Sequence, residues 1–176
     1  MTTDLTTGTW ALDAAHSAAS FTVRHAGISR VRGQFDSIDG SMVVGDGKDD
    51  VKYTATLQVD SINTGNADRD NHLKSGDFFD AEKNPTITFT STEVKGDKLA
   101  GELTIMGITK PVELDYEFGG VVTDPFGTKR AGVAAETTVS RKEFGLTWNA
   151  ALEAGGVMVS DNVRITIEAE FVAPTA

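Results

Sequence analysis

Val51-Lys52-Tyr53-Thr54-Ala55-Thr56-Leu57-Gln58-Val59-Asp60 alternates an apolar and a polar residue at every step. A helix would scatter these apolar residues around its circumference, whereas a strand places them all on one face. The stretch therefore reads as a β-strand with one buried side and one wet side. The same period of two returns along the chain. Ala19, Phe21, Val23 and His25 alternate with Ser20, Thr22 and Arg24, and Ile87 and Phe89 with Thr88 and Thr90. Leu99, Gly101, Leu103 and Ile105 follow a tight turn at Lys95-Gly96-Asp97-Lys98. Val112, Leu114, Tyr116 and Phe118 come next, then Val133, Ala135, Thr137 and Val139, then Val163, Ile165, Ile167, Ala169 and Phe171. With residues 8–12 and a strand around residues 34–44, this predicts an all-β fold of eight or nine antiparallel strands.

The chain has 176 residues, long enough to bury a core without staples, and no linker or repeat divides it, so residues 1–176 are expected to form a single domain. A net charge of −10 argues against a nucleic-acid partner and against adhesion to anionic membrane. The absence of cysteine excludes disulfides, thiolate metal sites and a cysteine nucleophile. No apolar run approaches the ~18 residues of a membrane-spanning helix. The start, Met1 to Gly8, has neither a positive segment nor an apolar core. As written, a cytoplasmic location is expected, or a periplasmic or secreted one if a leader has been removed.

Two short helices are predicted to interrupt the strands. One spans residues 67–74, with Asn66 as N-cap and Gly76 just past its end; the other begins at Ser140-Arg141-Lys142-Glu143, which has the spacing of a capping box. Gly45 to Asp50 reads as a hairpin turn, since it lacks the twelve-residue pattern and closing Glu of a calcium loop. About eight strands of ~9 residues, each ~30 Å long, close into a barrel that is either just filled or holds one small ligand. Pattern alone leaves a packed sandwich and a hollow barrel equally open. Small inward residues, Ala19, Gly33, Ala55, Gly101 and Ala135, lower the filled volume.

The period of two stops between Ser61 and Asp80. There a polar run (Arg69, Asp70, His72, Lys74) is followed by Phe78-Phe79, a composition suited to covering an apolar opening. If the barrel is hollow, the wall is expected to comprise Phe21, Val23, Phe35, Tyr53, Ala55, Leu57, Phe78, Phe79, Phe89, Leu103, Ile105, Leu114, Tyr116, Phe118, Phe144 and Ile165. His25, Arg69, Asp70 and His72 would form a polar mouth, with Arg69 paired to Asp70 as a lock on the loop. Arg24, Arg30 and Arg32 make a basic cluster that reads most simply as a solvated edge discouraging strand addition. His16, His25 and His72 lack the i, i+3 or i, i+4 spacing that places metal ligands on one element. No metal is expected. There is no G-x-S-x-G elbow, phosphate-binding loop, dinucleotide fingerprint or H-E-x-x-H. No paired carboxylates suggest acid–base catalysis.

The order of several short motifs is nevertheless specific. Trp10-Ala11-Leu12-Asp13 with His16-Ser17, Phe21-Thr22-Val23-Arg24-His25 and Gly33-Gln34-Phe35 open the series. Ser61-Ile62-Asn63-Thr64, Arg69-Asp70-Asn71-His72-Leu73 and Asp77-Phe78-Phe79-Asp80 form its centre. Pro85-Thr86-Ile87-Thr88-Phe89, Gly101-Glu102-Leu103-Thr104-Ile105-Met106-Gly107 and Arg141-Lys142-Glu143-Phe144-Gly145-Leu146 complete it. Over residues 9–171 the chain resembles the YceI-like, polyisoprenoid-binding family. The resemblance implies an extended lipocalin-like antiparallel β-barrel whose interior holds an isoprenoid or other long-chain amphiphile for transport or storage. It favours the hollow barrel, and it implies a bound polyisoprenoid with no other cofactor and no catalysis. Many relatives are exported. The rival function is a metal- or His-assisted hydrolase or isomerase acting on a lipid-like substrate through His16, His25, His72 and Asp70. A homodimer is the oligomeric alternative to a monomer.

Overall fold

The alternating residues Val163 to Phe171 belong to a 14-residue strand, β11 (Val159–Val172), and this strand closes the fold. The computed structural model describes residues 5–47, 50–149 and 158–175; residues 48 and 49 of the expected hairpin turn and residues 1–4 lie outside them. Within the described residues the other strands are β1 (Gly8–Leu12), β2 (Ala18–His25), β3 (Ser29–Phe35), β4 (Ile38–Val44), β5 (Val51–Gln58) and β6 (Ile62–Asn63). They continue with β7 (Thr86–Lys95), β8 (Lys98–Ile105), β9 (Ile108–Thr123) and β10 (Lys129–Ser140); one α-helix, α1 (Ala67–Lys74), lies between β6 and β7.

The order β1-β4-β5-β7-β8-β9-β10-β11 returns to β1 through Leu12↔Phe171, giving a closed antiparallel barrel of eight strands. Closure leaves no free edge in the ring. Beside β1, strand β11 also carries β2 through Ile165↔Phe21, and β3 and β6 follow. β1 and β2 are one run of chain broken by a 3-10 turn at Ala14–His16, where Asp13 accepts the Ala15 N–H. The strand expected over residues 34–44 is two strands. Its break falls at Asp36-Ser37, where the Asp36 N–H donates to the Ser61 carbonyl and the Gln58 N–H to the Ser37 carbonyl. The bend moves the chain from pairing with β2 to pairing with β1.

Chain direction places the turns around Gly96 and Gly127 at one end of the barrel, and the Ala26-Gly27 turn, α1 and residues 141–149 at the other. Trp10 and Met42, both fully buried, fill the first end as a floor, and the Trp10 indole N–H is satisfied by the Thr6 carbonyl at 2.8 Å. Phe21 crosses the sheet to lie over Gly33, where an added Cβ would stand 2.3 Å from its ring, so this glycine is required by the aromatic opposite.

The helix forms where the sequence predicts it. Asn66 Oδ1 accepts the Arg69 N–H at 3.0 Å, and Asp68 and Asp70 occupy the positive first turn. Ser75 is its C-cap and Gly76 follows just past the end, as expected. The second predicted helix is a single 3-10 turn, Arg141–Phe144, ended by Gly145 at φ +81°. Ser140 does not cap it as a capping box would. Its hydroxyl donates to Asp161 Oδ2 (2.6 Å), and the Lys142 N–H donates to Asp161 Oδ1 (3.1 Å), so a β11 carboxylate supplies the acceptor from across the sheet.

Candidate ligand-binding cavity

Inward side chains leave a cavity of about 230 Å³ along the barrel. Near the floor its wall is made by Leu12, Leu99, Leu114, Val133, Ala135, Ala169 and Phe171; toward α1 it is made by Phe35, Leu73, Phe78, Phe79, Ile105, Val139, Phe144 and Leu146. Phe21, Val23, Tyr53, Ala55, Leu57, Phe89, Leu103 and Ile165 also border it. Two residues of the expected wall are elsewhere. Tyr116 is buried behind Tyr53, hydroxyl to hydroxyl at 2.6 Å. Phe118 packs half-buried against the floor, beside the register shift of the β9–β10 ladder at Gly132-Val133.

Two segments cover the α1 end. In the first, Phe78 is buried and Phe79 packs edge-on to Phe35, with centroids 6.2 Å apart. Its backbone is pinned by Phe79 N–H to the Leu73 carbonyl and Ala81 N–H to the Lys74 carbonyl. The Arg69–Asp70 ion pair does not form. Neighbouring positions on a helix point about 100° apart, so both side chains turn to Thr64 instead. Arg69 Nε donates to Thr64 Oγ1 (2.7 Å) and an Arg69 terminal nitrogen to the Thr64 carbonyl (2.6 Å). The Thr64 hydroxyl and N–H both donate to Asp70 Oδ1, at 2.5 and 2.9 Å.

The second segment is held by Arg141, only 4 % exposed and on the cavity wall. Its guanidinium donates to the carbonyls of Ser160 (2.9 Å), Leu146 (2.6 Å), Trp148 (2.9 Å) and Val159 (3.3 Å). Burial pushes its pKa down, against the opposing influence of Asp161. This clamp carries Phe144 and Leu146 onto the cavity and Trp148 against the first segment. Trp148 lies 4.8 Å from His72 and 5.2 Å from Phe78, ring to ring. Arg141, Leu146 and Trp148 were not expected at the site.

The other polar residues are dispersed. His72 Nε2 lies 2.9 Å from Asp77 Oδ2 between the two aromatic rings. His25, expected inward with Phe21 and Val23, is exposed at the end of β2 opposite Val159 and Ser29. β11 still pairs with β2 at this point, through Val159↔His25, past a register shift between Val159 and Val163. Arg24 lies opposite Arg30 on this hairpin, and Arg24, Arg30 and Arg32 are all exposed. His16 belongs to the other half of the molecule, where it meets Asp13 at 2.8 Å in a network completed by Arg130, Asp124 and Glu170. His16 and then Arg130 hold the Asp13 carboxyl down at about 2. The structure therefore does not gather His16, His25, His72 and Asp70 into one site. Among the described residues no group of three His, Cys, Asp or Glu side chains is arranged to hold a metal.

A closed eight-strand antiparallel ring around an apolar cavity defines a lipocalin-like β-barrel. The chain belongs to the family of the YceI-like domain, whose model matches residues 10–171. It is 44 % identical over 162 residues to a UPF0312 protein of Staphylococcus aureus (strain USA300), covering 90 % of this chain and 94 % of that one. Among solved structures it resembles the YceI protein of Campylobacter jejuni, with 31 % identity, a TM-score of 0.73, and 86 % of this chain and 90 % of that chain covered. It shares its fold with a polyisoprenoid binding domain from Saccharophagus degradans at 15 % identity and a TM-score of 0.74, covering 94 % of this chain and 98 % of that one.

Proposed function

We propose that this protein binds a polyisoprenoid-type lipid or similar long-chain amphiphile inside the barrel, and sequesters or carries it without chemically changing it. The observation that carries this reading is the apolar cavity wall running from Phe171 near the floor to Phe78 and Leu146 under the covering segments. Membership of the YceI-like family and the fold shared with a polyisoprenoid binding domain support the ligand class. Burial supplies the affinity, at about 0.8 kcal/mol per CH₂-sized group. A ten-carbon chain gains about 8 kcal/mol, of the same order as the 4–15 kcal/mol cost of association, while a twenty-carbon chain gains about twice that. Long chains should bind and short ones should not. A twenty-carbon chain exceeds the space found in this conformation, so its binding requires Phe78, Phe79 and Trp148 to part.

Trp148, in contact with Phe78, reports on this directly. Titration of delipidated protein with geranylgeraniol should change tryptophan fluorescence saturably at one equivalent, and geraniol should bind at least a hundredfold more weakly. The absence of any saturable change with either alcohol would overturn the proposal.

A further inference from the structure

Deep in the barrel the hydroxyls of Tyr53 and Tyr116 meet at 2.6 Å. The two residues are 5 % and 7 % exposed, and Tyr53 also forms part of the cavity wall. Burial pushes both phenols upward in pKa, so each keeps its proton at any ordinary pH. Two O–H donors with one bond between them leave one O–H to be accepted elsewhere. Among the described residues neither hydroxyl has a second hydrogen-bond partner. The rings packed on Tyr53 are those of Tyr116 and Phe171, and the wall nearby is Leu99, Leu114 and Val133. A buried donor without an acceptor is costly, whereas a Phe–Phe pair would pack the same space without that cost.

We propose that the Tyr53–Tyr116 pair is the polar subsite of the cavity, donating one hydrogen bond to an uncharged oxygen, a carbonyl or ether, on the ligand end nearest the floor. This rests on the lipid-binding reading and adds to it the chemistry and direction of the ligand. A carboxylate or phosphate does not suit the position, since it would exchange full hydration for a single hydrogen bond. The buried guanidinium of Arg141 stands at the opposite end of the cavity and offers it no compensation. The ligand therefore enters oxygen first, and its chain fills the barrel back toward α1.

The test compares farnesylacetone with the hydrocarbon in which its carbonyl is replaced by a methylene, using wild-type protein and the double variant Tyr53→Phe/Tyr116→Phe. Because the carbonyl also loses hydration on entering, the comparison is relative: the ratio of ketone to hydrocarbon affinity should be higher in the wild type than in the variant by up to on the order of tenfold, the usual net effect of one hydrogen bond. The double variant should lose that advantage. The infrared carbonyl stretch of the bound ketone should lie below its value in an alkane solvent for the wild type and return to it in the variant. A ketone-to-hydrocarbon affinity ratio that is the same in the wild type and the double variant would overturn the subsite alone. Failure of the wild type to bind either compound would overturn the lipid-binding reading and the subsite with it. If the variant does not fold, the stretch in the wild-type complex decides: an alkane-like frequency refutes the hydrogen bond.

Discussion

Ala55→Trp separates a hollow barrel from a filled one. Ala55 lies on the cavity wall, opposite Gly40 on β4, which has no side chain, and Phe89 on β7, whose ring lies over Gly101, so an indole placed there projects into the cavity. An apolar cavity of about 150 Å³ accommodates benzene. An indole is about half as large again, which matches the 230 Å³ present here and leaves no room for ligand. In a filled core the same substitution would overpack at a cost of about 1–3 kcal/mol. At about 2–4 °C per kcal/mol for a chain of this size, that is a fall in Tm of roughly 2–12 °C. In the hollow barrel the ring fills existing space, and the Tm of delipidated protein should stay within about 2 °C of wild type or rise. Differential scanning calorimetry gives the first quantity, and fluorescence titration with geranylgeraniol gives the second. Expected together are an unchanged Tm and loss of most binding. A Tm lowered by more than about 2 °C, or undiminished binding, would refute the reasoning.

Thr64→Val removes the hydroxyl that links Arg69 to Asp70, so amide hydrogen exchange over residues 64–74 should accelerate by about tenfold, while the barrel strands keep their protection and the global Tm moves little. Arg141→Met leaves four carbonyls without their shared donor and should cost several kcal/mol, at about 1–3 kcal/mol per buried acceptor; urea unfolding measures it, and a loss below about 1 kcal/mol would contradict the clamp. Asp13 titrates at about 2 in the folded protein against 3.8 unfolded, so its contribution to stability is complete above about pH 4 and is lost as the pH falls toward 2. Tm should therefore fall between pH 4.5 and 2.5 by more in wild type than in Asp13→Asn. His16 is raised by the same contact, so its contribution is present below 6.5 and lost as the pH rises through its folded value.

The strands were legible because a period of two is a local signal, and β5 and residues 163–171 of β11 display it without interruption, whereas pattern alone left barrel and sandwich equally open and the family resemblance pointed to closure. The cap of α1 was legible for the same reason, since Asn66 and the acidic first turn act within four residues of each other. What escaped depends on groups brought from afar. Ser140 has a capping-box spacing, but Asp161 on β11 takes over the cap, and nothing local announces a carboxylate twenty residues away. The split at Asp36-Ser37 follows from where Ser61 and Gln58 lie. Arg69 and Asp70 were misread although a local signal existed: adjacent helical residues do not face each other, so Thr64 was the better partner. Alternation also places His25 on the inward side, because a period of two records which side of a strand a residue occupies and not whether other side chains cover it there. Arg141 has no local partner in Ser140-Arg141-Lys142-Glu143 that marks it as a clamp, and the four carbonyls converging on it give it a structural role.

The central claim is that the cavity is a ligand site. Native mass spectrometry of the protein purified from its own cells, followed by solvent extraction and identification of what is released, tests it most directly. The account predicts close to one equivalent of a single class of long-chain, oxygen-bearing isoprenoid, released on denaturation. A protein that flies only at its polypeptide mass, and still does so after exposure to geranylgeraniol and to total cellular lipid, would contradict it.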